Sequence, residues 1–79
     1  MKYVIMVDYY MYSEEEGEYT ESNYLAVDKN KIFYFDRYII DETKIFKSAE
    51  EAGKYVDKHF SDPNSQISFE NLRIVQLAL

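Results

Sequence analysis

Residues 24–35, YLAVDKNKIFYF, contain the pattern that decides the fold of this 79-residue chain. Two apolar runs, Tyr24–Val27 and Ile32–Phe35, flank the polar segment Asp28–Lys31, and such runs on either side of a short polar turn are typical of a β-hairpin. We expect Asn30 to take the positive φ of the turn, because asparagine tolerates the left-handed conformation better than most residues. The pattern therefore predicts two antiparallel strands with a well-defined register.

Further strands are predicted before and after this hairpin. Residues 3–12 alternate like a strand whose two faces both begin apolar, which suits a central position in the sheet. Residues 38–46 hold two short apolar runs and predict a fourth strand, residues 72–79 predict a final strand, and residues 67–69 form a short, ambiguous run. The polar residues 13–22 leave two alternatives, a long loop or an extension of two strands beyond the sheet.

One helix is predicted between these strands. Ser48 and Glu51 have the spacing of a capping box, in which the Ser48 hydroxyl accepts from the Glu51 amide and the Glu51 carboxylate accepts from the Ser48 amide. The helix should begin at Ala49 and end within residues 61–64, SDPN, because proline does not continue a helix. The predicted apolar stripe consists of Ala49, Ala52, Val56 and Phe60.

The order of these elements predicts an α+β fold. We expect an antiparallel sheet of four to five strands with one helix packed on one face, in a single small domain spanning residues 1–79. A single helix covers only one face of the sheet, so the other face must be filled by aromatic side chains, by the polar segment or by a second copy of the chain. A homodimer is therefore one of the predicted arrangements.

The charge of the chain is unevenly distributed. The net charge is −6, and residues 1–28 carry all of the excess, with seven acids against Lys2 alone. The same segment holds six of the nine tyrosines. A negative surface of this kind favours a cationic partner and argues against direct binding of nucleic acid, whose phosphates it would repel. The simpler alternative is a solvated segment that only keeps the protein soluble.

Several kinds of chemistry lack their usual residues. The chain has no cysteine, two glycines and one histidine, His59, so thiolate metal sites, glycine-rich phosphate loops and histidine clusters are not expected. Glutamates could hold a divalent cation loosely, but their spacing is not that of an EF-hand loop. We therefore expect no cofactor, no metal and no enzymatic activity. The N-terminus lacks the apolar length of a secretion signal and no run could span a membrane, so we expect a cytoplasmic protein.

Carboxylates and tyrosines along residues 10–21 form the candidate binding site. A strand rises about 3.3 Å per residue, close to the roughly 3.4 Å per nucleotide of a DNA strand, so its carboxylates could imitate phosphates and its tyrosines could occupy base-stacking positions. The expected partner is a basic nucleic-acid-binding protein, and the alternative is a module that self-associates through its aromatic sheet. The candidate residues are Tyr10, Tyr12, Glu14, Glu15, Glu16, Glu18, Tyr19 and Glu21.

Two stretches of the chain carry a resemblance to a known group of proteins. They are residues 12–24, YSEEEGEYTESNY, and the helix-then-strand ending that runs from Ser48–Ala52 to Leu72–Leu77. In this general design the chain resembles small phage-encoded anti-defence proteins, notably anti-CRISPR inhibitors that imitate DNA. The resemblance implies a non-enzymatic inhibitor that occupies the DNA-binding surface of a CRISPR effector or another nuclease in the host cytoplasm. It assigns no role to any individual residue.

Overall fold

Four antiparallel strands and one helix make up residues 1–60 and 71–78, the part of the chain that the computed structural model describes. The sheet has the strand order β3-β2-β1-β4, and the predicted α+β class is confirmed. The helix ends at His59 with Phe60 as its C-cap, just before the predicted end at residues 61–64. The short run at 67–69 and residue 79 lie outside the described residues. The elements are β1 (Lys2–Ser13), β2 (Gly17–Val27), β3 (Phe33–Asp36), α1 (Ala49–His59) and β4 (Leu72–Leu77).

The core lies between α1 and one face of the sheet. Ile5 and Leu25, one from each central strand, are fully buried there, and the aromatic rings of Phe33 and Phe35 pack beside them. Ala49 was predicted to belong to the apolar stripe, but it is exposed. It stands in the first turn of the helix, beyond the buried cluster. The core cluster consists of Ile5, Leu25, Phe46, Ala52, Val56 and Phe60.

The N-terminus of α1 is capped as predicted in one of two respects. The Glu51 amide donates to the Ser48 hydroxyl over 3.1 Å. The Glu51 carboxylate accepts from the Lys47 amide over 3.3 Å, one residue earlier than the Ser48 amide that we predicted. The backbone of Ser48 is extended, and the side chain of Glu51 reaches past it to the amide of the preceding residue, Lys47. The first bond satisfies one of the amides that the start of the helix leaves without a partner, and the second pairs the amide of the residue before the cap.

The strand predicted at residues 38–46 is wrong as a strand, because the segment makes only two single bridges. Thr43 pairs with Ala26 and Phe46 pairs with Tyr3, so the segment connects the end of β2 to the start of β1. The Thr43 amide donates to the Ile40 carbonyl over 3.0 Å, and the Ile40 amide donates to the Thr43 hydroxyl over 2.8 Å. This tight local turn uses backbone groups that a strand would have paired across the sheet.

The sheet face opposite α1 is closed within a single chain along its central strands. Three residues of these strands point away from the helix and are nevertheless buried: Val4 is 0% exposed, Met6 8% and Ala26 0%. These positions need no second copy of the chain to cover them.

The turn of the β2–β3 hairpin differs from the prediction in the residue that takes a positive φ. That residue is Lys31, at φ 63, and not Asn30. The Asp28 carboxylate accepts from the amides of Asn30 and Ile32, over 2.8 and 3.0 Å, and the Asp28 carbonyl accepts from the Lys31 amide over 3.0 Å. This arrangement is a type I turn followed by a left-handed residue. Because Asp28 closes the turn, the left-handed position moves one residue beyond the predicted one.

Lys31→Gly should stabilise the fold. A left-handed conformation costs a residue with a side chain about 1–2 kcal/mol, and glycine would remove this cost. The greater freedom of glycine in the unfolded chain offsets part of the stabilisation. We expect the free energy of unfolding to rise by about 0.5–1 kcal/mol, measured by urea denaturation. Lys29→Gly, in the same turn but without a positive φ, is the matched control and should leave stability unchanged or lower it. The same response from both variants would contradict this account of the turn.

A tyrosine hydroxyl on β3 forms a hydrogen bond with the segment that follows this strand. The Tyr34 hydroxyl donates to the Glu42 carboxylate, and this hydrogen bond is the main reason why the pKa of Tyr34 rises to about 12 from 10.0. Because the folded pKa lies above the unfolded one, the bond contributes fully below pH 10 and its contribution is lost as the pH rises toward 12.

Tyr34→Phe should therefore make the fold less sensitive to alkaline pH. Wild-type protein should lose more stability between pH 9 and pH 11.5 than the variant does, as measured by urea denaturation at the two pH values. Tyr12→Phe, which removes an exposed hydroxyl, should keep the wild-type difference. An equal loss in wild type and Tyr34→Phe would show that this hydrogen bond contributes nothing.

Candidate functional site

Strands β1 and β2 continue past their neighbours as a two-stranded ribbon. The pairing of β1 with β4 ends at Val7, and the pairing of β2 with β3 ends at Tyr24. Beyond these points, residues 8–13 and 17–23 pair only with each other among the described strands. Six residues of strand span about 20 Å. Of the two alternatives for the polar segment, the structure shows the extension of two strands, and residues 8–23 are called the acidic ribbon below.

The tip of the acidic ribbon is an ordered turn. Ser13 stands opposite Gly17, and the turn between them consists of Glu14, Glu15 and Glu16. The Glu16 amide donates to the Ser13 hydroxyl over 3.0 Å. Gly17 has φ 72, a conformation that glycine adopts without steric cost. The three glutamates are thus held on a backbone whose geometry is set on both sides.

The predicted site residues divide between the two faces of the ribbon. Tyr10, Tyr12 and Glu18 share one face, where Tyr12 stands directly opposite Glu18. Tyr19 and Glu21 lie on the other face, the one that continues into the core. Neighbouring residues of a strand point to opposite sides. The structure therefore brings Tyr10, Tyr12 and Glu18 together and places Tyr19 and Glu21 on the opposite face.

Two tyrosines of the first face are open to solvent. Tyr10 is 82% exposed and Tyr12 is 73% exposed, the highest values among the tyrosines of the chain. They stand two positions apart on one strand, so both rings project from the same side. Large aromatic side chains with so little intramolecular contact are the kind that protein interfaces use as anchors.

The acids at the base of the ribbon are already neutralised. Glu21 accepts from Arg37 at 2.6 Å from Nη2 and 2.8 Å from Nε, and this pair raises the pKa of Arg37. Asp8 lies 3.2 Å from Nε of Arg73 and accepts from the Ser22 hydroxyl over 2.5 Å. Glu21 was one of the predicted site residues, and its carboxylate is already engaged within the chain.

The remaining negative charge lies at the tip. The side chains of four glutamates are exposed there and make no ion pair with any described residue. These four carboxylates fall within five consecutive positions, so the ribbon carries a concentrated negative end rather than an evenly spaced line of charges. They are Glu14, Glu15, Glu16 and Glu18.

Sequence reasoning missed the residues that hold the ribbon to the body. Tyr9 lies on the core-side face and packs edge-to-face on Phe35, with ring centroids 6.4 Å apart, and burial raises the pKa of Tyr9. Arg37 and Arg73 neutralise the base from outside the ribbon. The alternation of residues 3–12 places Tyr9 on the face of Ile5 and could have identified its role, whereas no local pattern indicates the two arginine pairs.

Comparison of the chain with known protein families, with curated proteins and with solved structures finds no match. Among residues 1–60 and 71–78, no three acidic or histidine side chains are grouped closely enough to hold a metal ion. The helix in this part of the chain has 11 residues, and no described helix is long and apolar enough to cross a membrane. Function therefore has to be inferred from the geometry of the described residues.

Proposed function

We propose that this protein is a non-enzymatic inhibitor that inserts its acidic ribbon into the basic groove of a nucleic-acid-binding protein, such as a nuclease or a CRISPR effector. One observation carries the proposal. The two most exposed tyrosines and four carboxylates that make no ion pair with a described residue lie together on a projecting ribbon, while Asp8 and Glu21 at its base are neutralised within the chain. A segment that served only solubility would not need an ordered tip or a separation of paired from unpaired acids.

The shape of the ribbon supports insertion into a groove. Two strands lie about 4.8 Å apart, and the ribbon extends about 20 Å beyond the sheet, so it can enter a cleft that a flat surface could only cover. Its charged end would meet lysines and arginines that otherwise bind phosphates. The concentrated charge favours recognition of a short basic site over imitation of a long phosphate track.

The two kinds of side chain would have different roles. Glu14, Glu15 and Glu16 would steer the chain to a basic surface and raise the rate of association. Tyr10 and Tyr12 would bury large amphipathic rings against aromatic or arginine side chains that normally stack on bases. Because these tyrosines stand on a paired strand, little backbone entropy is lost on binding.

Self-association through the aromatic sheet is the weaker alternative. It requires an open sheet face, but Val4, Met6 and Ala26 are buried in the single chain. Sedimentation of the protein at micromolar concentration distinguishes the two. We expect a monomer, and a stable dimer that hides Tyr10 and Tyr12 would leave the proposed surface unavailable.

Affinity capture tests the proposal. The immobilised chain should retain a basic nucleic-acid-binding protein from a bacterial lysate at low salt and release it at high salt, because part of the attraction is ionic. The bait with Tyr10→Thr and Tyr12→Thr should retain far less of the same protein. Equal retention by both baits, or retention of proteins that bind no nucleic acid, would contradict the proposal.

A further inference from the structure

A second site lies at the other end of β2, away from the acidic ribbon. A cavity of about 350 Å³ opens between the β2–β3 turn and the second half of α1. Aromatic rings form its wall: Tyr55 lies 4.3 Å from His59 and 5.9 Å from Phe33, and Phe33 lies 5.1 Å from His59, all between ring centroids. The volume falls within the range of about 300–1,000 Å³ that is typical of small-molecule sites.

Three lysines line the same cavity. They are Lys31 from the turn, Lys44 from the segment before the helix and Lys58 from the helix. Among residues 1–60 and 71–78, no carboxylate lines the cavity, and none of the three lysines makes an ion pair there. In a chain of net charge −6, three lysines around one cavity give it a local excess of positive charge, so the arrangement is best satisfied by an anion.

The backbone conformation of Lys31 supports the interpretation that the cavity binds an anion. Its φ of 63 is one that glycine or asparagine adopts more readily. Strained backbone that persists at the rim of a cavity is characteristic of functional sites. A lysine at this position brings a cation to the cavity at a cost in stability that glycine would avoid.

Lys44 connects the two features of the cavity, its positive charge and its aromatic wall. Its Nζ lies 5.7 Å from the ring centroid of Tyr55 and 5.7 Å from that of Phe46, within cation–π range. The ammonium is thereby held over the aromatic wall, where it can contact an anionic group while the ring of the same ligand lies against Tyr55 or Phe33.

We propose that this cavity binds a small, multiply charged anion that carries a flat ring, the chemistry of a nucleotide. The lysine ammonium groups would contact the phosphates, and the rings of Phe33 and Tyr55 would stack on the base. Gly17 and Val27, at the two ends of β2, are ten positions apart, or about 33 Å along an extended strand. This site is therefore independent of the acidic ribbon, and either proposal can fail without the other.

Amide NMR titration of the full chain with ADP, GDP, CDP and UDP tests the proposal, with adenosine and pyrophosphate as the separate halves of the ligand. At least one nucleotide should shift the amides of Lys31, Phe33, Tyr55 and His59 in a saturable way, and each half should bind at least about tenfold more weakly. Pyrophosphate binding as tightly as the nucleotides would show simple ion attraction and overturn the proposal. Failure of all four nucleotides to saturate, or shifts elsewhere in the chain, would also overturn it.

Three single variants assign the contacts. Lys31→Gly, Lys44→Gln and Lys58→Gln should each weaken nucleotide binding about tenfold, as expected for loss of one charged hydrogen bond. Because Lys31→Gly should also stabilise the fold, its loss of binding could not come from unfolding. Lys29→Gln, in the same turn but outside the cavity, makes the same change in net charge and should bind like wild type. Unchanged binding in all three cavity variants would overturn the proposal.

Discussion

Replacing Tyr10 and Tyr12 together by threonine should weaken binding to the captured partner about 100- to 1,000-fold. Anchor tyrosines at protein interfaces contribute about 2 kcal/mol or more each, and each 1.4 kcal/mol is a factor of ten. Both rings project from one side of a paired strand and are the most exposed tyrosines of the chain, so both should be buried when the ribbon enters a groove. Isothermal titration calorimetry or surface plasmon resonance with the purified partner measures the change.

This double substitution should leave the fold intact. The two rings make little contact within the chain, and threonine retains the branched side chain that suits a strand. Tyr38→Thr removes a 65% exposed tyrosine outside the ribbon and is the matched control. If the control weakened binding as much as the double variant, exposed aromatic area in general, and not the ribbon, would be responsible.

Changing Glu14, Glu15 and Glu16 to glutamine should weaken binding about 10- to 100-fold at 50 mM salt, with most of the loss in the association rate. The three carboxylates lie exposed at the tip, and the Ser13–Glu16 hydrogen bond that orders the turn uses a backbone amide. Glutamine therefore removes charge without removing the turn. Because salt screens these charges, wild type and variant should converge as salt rises to 1 M. Stopped-flow or surface plasmon resonance kinetics measure both rates.

A second triple variant separates local from net charge. Asp41→Asn, Glu50→Gln and Asp57→Asn replace three exposed acids outside the ribbon, of which Glu50 pairs with Lys54 over 3.4 Å, and make the same change in net charge. These substitutions should alter the association rate severalfold at most. Equal losses in the two triple variants would mean that the partner senses the total charge of the protein, and the tip would have no special role.

Local patterns in the sequence were sufficient for most of the fold. The alternation of residues 3–12, the hairpin at residues 24–35 and the Ser48 cap each predict an element from neighbouring residues, and all three are present. The strand predicted at residues 38–46 failed because Ile40 and Thr43 bond to each other, a local competition that hydrophobic pattern does not reveal.

The candidate site was only partly predictable. Composition locates the acids and tyrosines, but it cannot say whether a polar segment is loop or strand, since side-chain polarity is similar in an exposed ribbon and in a loop. Once the register is known, Tyr19 and Glu21 fall on the core-side face and Glu21 meets Arg37 across 16 positions of sequence. The lysine-lined cavity draws on distant segments, so it required the tertiary structure.

The most direct test of the ribbon as a surrogate for nucleic acid is competition with DNA for the captured partner. A fluorescently labelled duplex is first bound to the partner, and the chain is then added while fluorescence anisotropy is recorded. We predict that anisotropy falls to the value of unbound DNA, and that the midpoint, once corrected for the concentration and affinity of the DNA, gives the affinity of the chain for the partner. Anisotropy that stays high or rises, because partner, DNA and chain form a ternary complex, would contradict the account.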